Sequence, residues 1–224
     1  GIISGVIMGS GLGYRISSIL TSVAGTSMLL LLVLTMVVSL IMGMGVPTTA
    51  AYLVLASLVA PTMIQLGIPP LAAHMFIFYF GCISSITPPV ALAAYAGAGL
   101  AGCDPNKTGY KAFRLAFCSF LMPYLFVYNP VLLMEGGVLD ILWSLVTALI
   151  GAYLLASGFE GFFFRWSLKW FERPLMILGA VMLIVPGMVT DLVGIAIIVV
   201  EFVTEFMFKR SEKFVPVTVS QSTT

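Results

Sequence analysis

Two short segments combine glycine or serine with proline and threonine inside apolar chain, and these residue types could bind a small cation. They are residues 43–49 (GMGVPTT) and 84–90 (SSITPPV). Glycine permits close backbone approach, proline ends a helical hydrogen-bond ladder, and a hydroxyl supplies an uncharged oxygen ligand. Uncharged oxygens beside the free carbonyls of an interrupted helix suit Na⁺. The candidate ion-path positions are Gly43, Gly45, Pro47, Thr48, Thr49, Ser84, Ser85, Thr87, Pro88, Pro89 and Val90.

The chain around these segments has the composition of a membrane protein. No Asp, Glu, Lys or Arg occurs in the 88 residues between Arg15 and Asp104, and the whole chain is 60% hydrophobic and 8% charged. A smooth membrane span needs about 20 uninterrupted apolar residues, but prolines and glycines interrupt this stretch earlier. Irregular backbone at membrane depth is tolerated where it lines a cavity. The pattern therefore predicts a multi-pass protein with a solute path, and a net charge of +1 argues against nucleic-acid binding.

Other chemistries have weaker support in the sequence. A proton relay normally needs an intramembrane Asp, Glu or His, and His74 alone qualifies within this stretch. Its place beside two prolines favours a packing or interfacial role. A serine nucleophile at Ser10, Ser84 or Ser85 would make the chain an intramembrane hydrolase, but no convincing base accompanies them. We expect no enzyme and no catalytic residue, and a channel or structural membrane subunit remains the other alternative.

The elements that position the candidate residues follow from where the apolar runs stop. Two helices of about 15 residues, 28–42 and 50–64, are each too short to span a bilayer, which predicts a re-entrant hairpin. The prolines after Thr87 predict one membrane helix broken in its middle. Residues 1–27 are expected to be the end of a preceding helix and a connector at 17–27. A transport-domain half follows at 28–128, made of the re-entrant hairpin 28–64, the broken helix 71–101, a polar loop 102–111 and a span 112–128. C-terminal membrane helices at 129–208 include an interfacial amphipathic helix at 159–173, and a polar tail at 209–224 ends the sequence.

The last apolar stretch, 174–208, is too long for one span and has Asp191 near its centre. A single span would leave this carboxylate in hydrocarbon at a cost of roughly 2.5–3.5 kcal/mol. A hairpin with Asp191 at its turn avoids this cost and returns Lys209, Arg210 and Lys213 to the side that carries the other basic loops. We therefore expect a hairpin, a cytoplasmic tail and an Asp191 that caps or anchors a turn.

Several motifs together resemble one transporter family. GMGVPTTAAY, APTMIQLGIPPLAAHMFIFYFG, SSITPPVALAAYAGAGLAG, DPNKTGYKAFRLAF and PYLFVYNP are similar to the DctM-like large membrane subunit of tripartite ATP-independent periplasmic (TRAP) transporters. The likeness extends over roughly residues 1–155 and is greatest to fused permeases that work with TAXI-type binding proteins. It implies an all-α integral membrane fold, one half of an elevator-type secondary transporter with a re-entrant hairpin and a discontinuous helix.

The resemblance also implies function and partners. Na⁺ would drive import of an organic acid that a soluble periplasmic TAXI-type binding protein delivers, across a bacterial inner membrane. By this likeness the ion ligands are at Gly43 or Gly45, the Ser84 carbonyl, Thr87 and the oxygen around Val90. Small-subunit-like and first-repeat segments would precede Gly1, so this chain alone should not transport. Independently, six basic residues fall on one side of the predicted topology, which makes that side cytoplasmic and the hairpin base periplasmic: Lys107, Lys111, Arg114, Arg165, Lys169 and Arg173.

Overall fold

The computed structural model describes residues 2–25, 27–163, 166–185 and 187–208. It consists of two compact units, Gly1–Ile141 and Leu142–Thr224, here called the N-terminal and C-terminal units. Arg165 and the tail 209–224, including its three basic residues, lie outside the described residues. Within the described part, one helix, Val138–Glu160, is long and apolar enough to cross a membrane by length and composition.

The N-terminal unit is helical. Its helices are α1 (Ile2–Gly9), α2 (Leu12–Ala24), α3 (Met28–Gly43), α4 (Thr48–Leu58), α5 (Ala60–Gln65), α6 (Pro70–Ile83), α7 (Leu92–Ala101), α8 (Pro105–Ala116) and α9 (Met122–Tyr128), with 3-10 turns at Ser84–Ile86, Phe117–Leu121 and Pro130–Leu133. Helix α6 lies at the centre, in contact with α3, α4, α5 and α9. Its Phe76 and Phe80 are fully buried and pack edge-on against Tyr124 of α9. The core therefore holds α6 between the hairpin helices and α9.

Helices α3, α4 and α5 form a helical hairpin whose tip is residues 44–47. Ser27 caps α3 by accepting a hydrogen bond from the Leu30 amide. Met28 at the start of α3 and Leu66 just after α5 line the same small pocket, so the two arms return to one end. At 16 residues α3 is about 24 Å long, which is less than a 30 Å hydrocarbon core.

The second arm differs from the expected continuous helix over 50–64. Helix α4 ends at Leu58, Val59 has φ −110°, and α5 begins at Ala60. Pro61 explains the interruption, because proline has no amide hydrogen and its ring clashes with the carbonyl four residues earlier. The arm is therefore two short helices.

Two further expectations for the N-terminal unit differ from the structure. The connector 17–27 is largely the helix α2. The expected polar loop 102–111 contains the first half of α8, because Asp104 caps that helix by accepting the Lys107 amide hydrogen bond at 2.8 Å. The expected span 112–128 is helical throughout, as the end of α8, a 3-10 turn and α9 in succession, and its crossing of a membrane stays a prediction.

The C-terminal unit is built on α10 (Val138–Glu160), α11 (Glu172–Ile184) and α12 (Met188–Phe208). The expected interfacial helix at 159–173 is wrong: α10 ends at Glu160, and strands β1 (Phe162–Phe163) and β2 (Trp166–Ser167) form a small antiparallel hairpin. Gly161 has φ +75°, a conformation that glycine adopts readily and that ends the helix.

Glycines bring the three helices of this unit into close contact. A Cβ on Gly151 would lie 2.5 Å from Ile184 Cγ1, and one on Gly194 would lie 2.6 Å from Leu183 Cγ. Gly179 of α11 faces Ile197 of α12 in the same way, so α11 and α12 run antiparallel. The stretch 174–208 is thus two packed helices rather than one span.

Asp191 contacts a neighbouring helix of the C-terminal unit. It lies in the first turn of α12, is 7% exposed, and accepts a 2.8 Å hydrogen bond from Trp143 Nε1 of α10. The turn before α12 is closed by Thr190, whose hydroxyl donates to the carbonyls of Val185 and Gly187. The expectation that Asp191 caps or anchors a turn is therefore wrong: among the described residues its carboxylate bonds to an indole on α10.

We expect Gly151→Val to destabilise the C-terminal unit. The new side chain would overlap Ile184 and approach the Ala180 carbonyl, where an alanine Cβ would already lie at 3.1 Å. Overpacking of this kind costs about 1–3 kcal/mol. Thermal unfolding of the purified protein in detergent should show a lowered Tm. Gly99→Ala is the control, because a Cβ there meets nothing within 4 Å; equal Tm values for the two variants would contradict the packing assignment.

Candidate functional site

The tip of the hairpin touches the break after α6. Helix α3 ends at Gly43, and the 3-10 turn that follows α6 begins at Ser84. Both residues are buried, and a Cβ on Gly43 would lie 2.5 Å from Ser84 Oγ and 3.0 Å from Ser84 Cβ. The Gly81 carbonyl would be 3.4 Å from the same position. Gly43 is therefore required by close approach of two segments that are far apart in the sequence.

A second contact lies beside the first. Gly45 has φ +77°, which an L side chain rarely adopts, and its Cβ position would be 3.8 Å from Val90 Cγ1. The hairpin tip therefore contacts the broken segment 84–90 at its first residue, Ser84, and at its last residue, Val90. Of the candidate positions, the structure brings together Gly43, Gly45, Ser84 and Val90.

Helix termini converge at this point. Helices α3 and α6 end here, and α4 and α7 begin on the far side of the breaks, after Pro47 and Ala91. A helix C-terminus carries about half a negative charge, and a helix N-terminus about half a positive charge. The junction of tip and break, here called the tip–break junction, therefore offers negative ends to a cation and positive ends to an anion without a charged side chain.

Hydroxyl groups at the break have their protons directed back onto the chain. Thr87 Oγ1 donates to the Ile83 carbonyl at 2.8 Å, Ser84 Oγ to the Gly81 carbonyl at 2.6 Å, and Ser85 Oγ to the Cys82 carbonyl at 2.7 Å. A hydroxyl that donates keeps its oxygen lone pairs for a ligand. The Ser84 carbonyl accepts the Thr87 amide at 3.2 Å, and a carbonyl oxygen has a second lone pair. The break therefore holds several uncharged oxygens with free lone pairs.

The remaining candidates lie around the junction. Pro47 precedes α4, and Thr48 and Thr49 in its first turn are exposed. The peptide bond between Pro88 and Pro89 is cis, and the Pro89 carbonyl accepts a 2.8 Å hydrogen bond from the Tyr95 hydroxyl. The structure therefore does not bring the two hairpin threonines into the buried contact between Gly43 and Ser84.

Three residues near the site were not found from the sequence. Thr35 and Ser39 of α3 are fully buried, share a helix face with Gly43 by their spacing of four, and within the described chain neither hydroxyl has a hydrogen-bond partner. The regular spacing of Thr35, Ser39 and Gly43 is a signal that sequence reasoning could have used. Tyr95 carried no such signal, because its contact depends on the turn made by the two prolines.

The structure gives little support to a proton relay, a metal site or a serine nucleophile among the described residues. His74 Nδ1 lies 3.1 Å from the Tyr52 hydroxyl, in a half-buried contact between α6 and α4. In the described residues, no group of three or more His, Cys, Asp or Glu side chains could hold a metal ion. The hydroxyls of Ser84 and Ser85 donate to backbone carbonyls in the last turn of α6. His74 is thus engaged with a tyrosine, and the serine side chains with the backbone.

Comparison with known proteins gives one positive result. Residues 1–141 match the family described as "DctM: Tripartite ATP-independent periplasmic transporter, DctM component". No curated protein and no solved structure matches. The matched residues contain both breaks and coincide with the N-terminal unit.

Proposed function

Because the chain belongs to the DctM-component family of tripartite ATP-independent periplasmic transporters, we propose that it forms the ion-coupling half of a Na⁺-driven permease for organic acids. A transporter permease family is consistent with a protein that is not an enzyme. The observation that carries the finer proposal is the contact of Gly43 with Ser84. It joins two interrupted helices at a point rich in uncharged oxygens.

The site residues would act by solvating the ion in place of water. The Ser84 carbonyl and Thr87 hydroxyl supply oxygens, and the C-terminal ends of α3 and α6 add a favourable field for a cation. The N-terminal ends of α4 and α7 carry partial positive charge, which suits the carboxylate of an organic acid. Binding of the two ions close together lowers the cost of each in a low-dielectric environment.

The wider assembly follows from the family. We propose that the protein is a multi-pass component of the bacterial inner membrane that receives its substrate from a TAXI-type periplasmic binding protein. First-repeat and small-subunit-like segments of the permease would complete the path. An elevator movement of this unit would carry the site across the membrane; in support, the helices α3 to α6 on either side of the tip and before the break share one core.

Uptake of a labelled organic acid by the whole permease with its binding protein tests the proposal. We expect proteoliposome uptake to require a Na⁺ gradient and to persist when a protonophore removes any proton gradient. Equal uptake in K⁺ or choline buffer would favour the channel alternative and contradict Na⁺ coupling. Labelling of the purified chain by a serine-reactive probe would favour a hydrolase.

Cysteine labelling tests the re-entrant arrangement of the hairpin. Gln65 near the hairpin base and Lys107 in α8 are both exposed. In a variant whose native cysteines are replaced, we expect Gln65→Cys to react with an impermeant maleimide from the periplasm and Lys107→Cys from the cytoplasm only. A parallel reaction with a permeant maleimide controls for access. Labelling of both positions from one side would contradict the topology.

A further inference from the structure

Where the loop between α10 and α11 enters α11, one guanidinium nitrogen is buried without a hydrogen-bond partner among the described residues. Arg173 lies in the first turn of α11, and its Nε is buried without a hydrogen bond. Its guanidinium rests against Gly161, where a Cβ would overlap the guanidinium nitrogen and carbon atoms. Gly161 thus forms a cradle for the guanidinium. Arg173 as a whole is partly exposed, so its guanidinium charge stays within reach of an acceptor from outside the described chain.

The carboxylate of Glu172, next to Arg173 in the sequence, accepts a hydrogen bond from the backbone. Glu172 Oε2 accepts a 2.6 Å hydrogen bond from the Lys169 amide and so closes the turn before α11. Among the described residues, Nε of Arg173 has no hydrogen-bond partner. Lys169 and Arg173 supply positive charge here, beside the carboxylates of Glu160 and Glu172.

The position of the loop follows from α10. This helix has 23 residues and mean hydropathy high enough to cross a membrane, and at 1.5 Å per residue it is about 34 Å long. A helix of this length reaches both boundaries of a hydrocarbon core of about 30 Å. Gly161 follows its last residue directly, so the loop lies at the depth of the lipid headgroups.

Exposed aromatic side chains surround the two cations. Trp170 is 86% exposed, Phe171 67% and Phe162 53%. Lys169 Nζ lies 5.9 Å from the centroid of the Phe171 ring. Aromatic rings are enriched at the headgroup level of membranes, and nearby Lys and Arg bind anionic lipids. The combination distinguishes this loop from an ordinary solvent-exposed turn.

We propose that this loop binds the phosphate of an anionic phospholipid, with Arg173 and Lys169 as its cationic ligands and Phe162, Trp170 and Phe171 inserted among the headgroups. A zwitterionic lipid also has a phosphate, but it would bring its own cation against two basic side chains. An anionic headgroup such as that of phosphatidylglycerol has no such repulsion. The site therefore selects lipids by net charge.

Lipid titration of the purified protein, followed by native mass spectrometry, tests this site. We expect the parent protein to bind phosphatidylglycerol more tightly than phosphatidylcholine. Arg173→Gln should weaken phosphatidylglycerol binding about tenfold or more, as expected for loss of hydrogen bonds to a charged group. Gly161→Ala should have a similar effect, because its methyl group displaces the guanidinium.

Two further variants make the result decisive. Lys111→Gln, at an exposed position of α8, removes the same charge elsewhere and should leave the lipid preference unchanged. Trp170→Ala changes a side chain that is almost entirely exposed, so it should fold normally and weaken binding severalfold. The proposal is overturned if Arg173→Gln keeps the parent preference or Lys111→Gln loses as much. If Arg173→Gln fails to fold, an unchanged preference in Trp170→Ala overturns it.

Discussion

Gly43→Ala is expected to reduce Na⁺-driven uptake about 10- to 100-fold, on the basis of an overpacking cost of about 1–3 kcal/mol. The added methyl group would stand 2.5 Å from Ser84 Oγ and 3.0 Å from Ser84 Cβ, far inside contact distance. Tip and break must then separate, and the oxygens proposed to bind Na⁺ separate with them. Uptake by the whole permease, measured against Na⁺ concentration, should show both a lower rate and a weaker dependence on Na⁺.

A second substitution at Ser84 should rescue Gly43→Ala, because the clashing atoms belong to the Ser84 side chain. Ser84→Gly removes the hydroxyl oxygen and Cβ, and the next neighbour of a Gly43→Ala methyl group is then the Gly81 carbonyl at 3.4 Å. We expect the double variant Gly43→Ala/Ser84→Gly to regain most of the lost uptake. Gly99→Ala, where a Cβ meets nothing within 4 Å, should behave as the parent. A double variant as inactive as Gly43→Ala would show that this contact does not determine activity.

Thr87→Val should raise the Na⁺ concentration for half-maximal uptake about tenfold or more while the protein still inserts and folds. Thr87 is 7% exposed and has extended backbone (φ −97°, ψ 124°), which the β-branched valine also favours. The change removes the oxygen proposed as a ligand and its hydrogen bond to the Ile83 carbonyl. Lost hydrogen bonds of this kind cost about 1 kcal/mol, so folding should survive.

The matched control for this prediction is Thr87→Ser, which keeps the hydroxyl and loses only a methyl group. We expect its Na⁺ dependence to stay close to that of the parent. Folding is followed by thermal unfolding in detergent and transport by uptake at a series of Na⁺ concentrations. If valine and threonine give the same Na⁺ dependence, the hydroxyl is not a ligand.

The interrupted helices were predictable from sequence because their causes are local. Proline removes a donor and glycine permits unusual φ, and both effects can be read from the residue itself. The contact between Gly43 and Ser84 could not be derived in this way, since it depends on how α3 packs against α6. The spacing of Thr35 and Ser39 from Gly43 can be read from the sequence, but the burial of their hydroxyls without a partner in the described chain is a property of the packed core.

The errors in helix boundaries also have physical causes. Residues 17–27 contain several serines and threonines, which were interpreted as a connector, yet Thr21 and Ser22 satisfy their hydroxyls on carbonyls of α2. In the loop after α10, basic and aromatic residues suggested an amphipathic helix. The positive φ of Gly161 and the pairing of Phe162 with Ser167 turn the chain back instead. Local composition did not determine either conformation.

The close approach of Gly43 to Ser84 also limits how related sequences can vary. The space between the two backbones holds one small side chain, so a side chain at either position excludes one at the other. Related permeases with alanine or serine at the position of Gly43 should have glycine at the position of Ser84. The two positions are expected to covary as a pair with a fixed combined volume, although they belong to different helices.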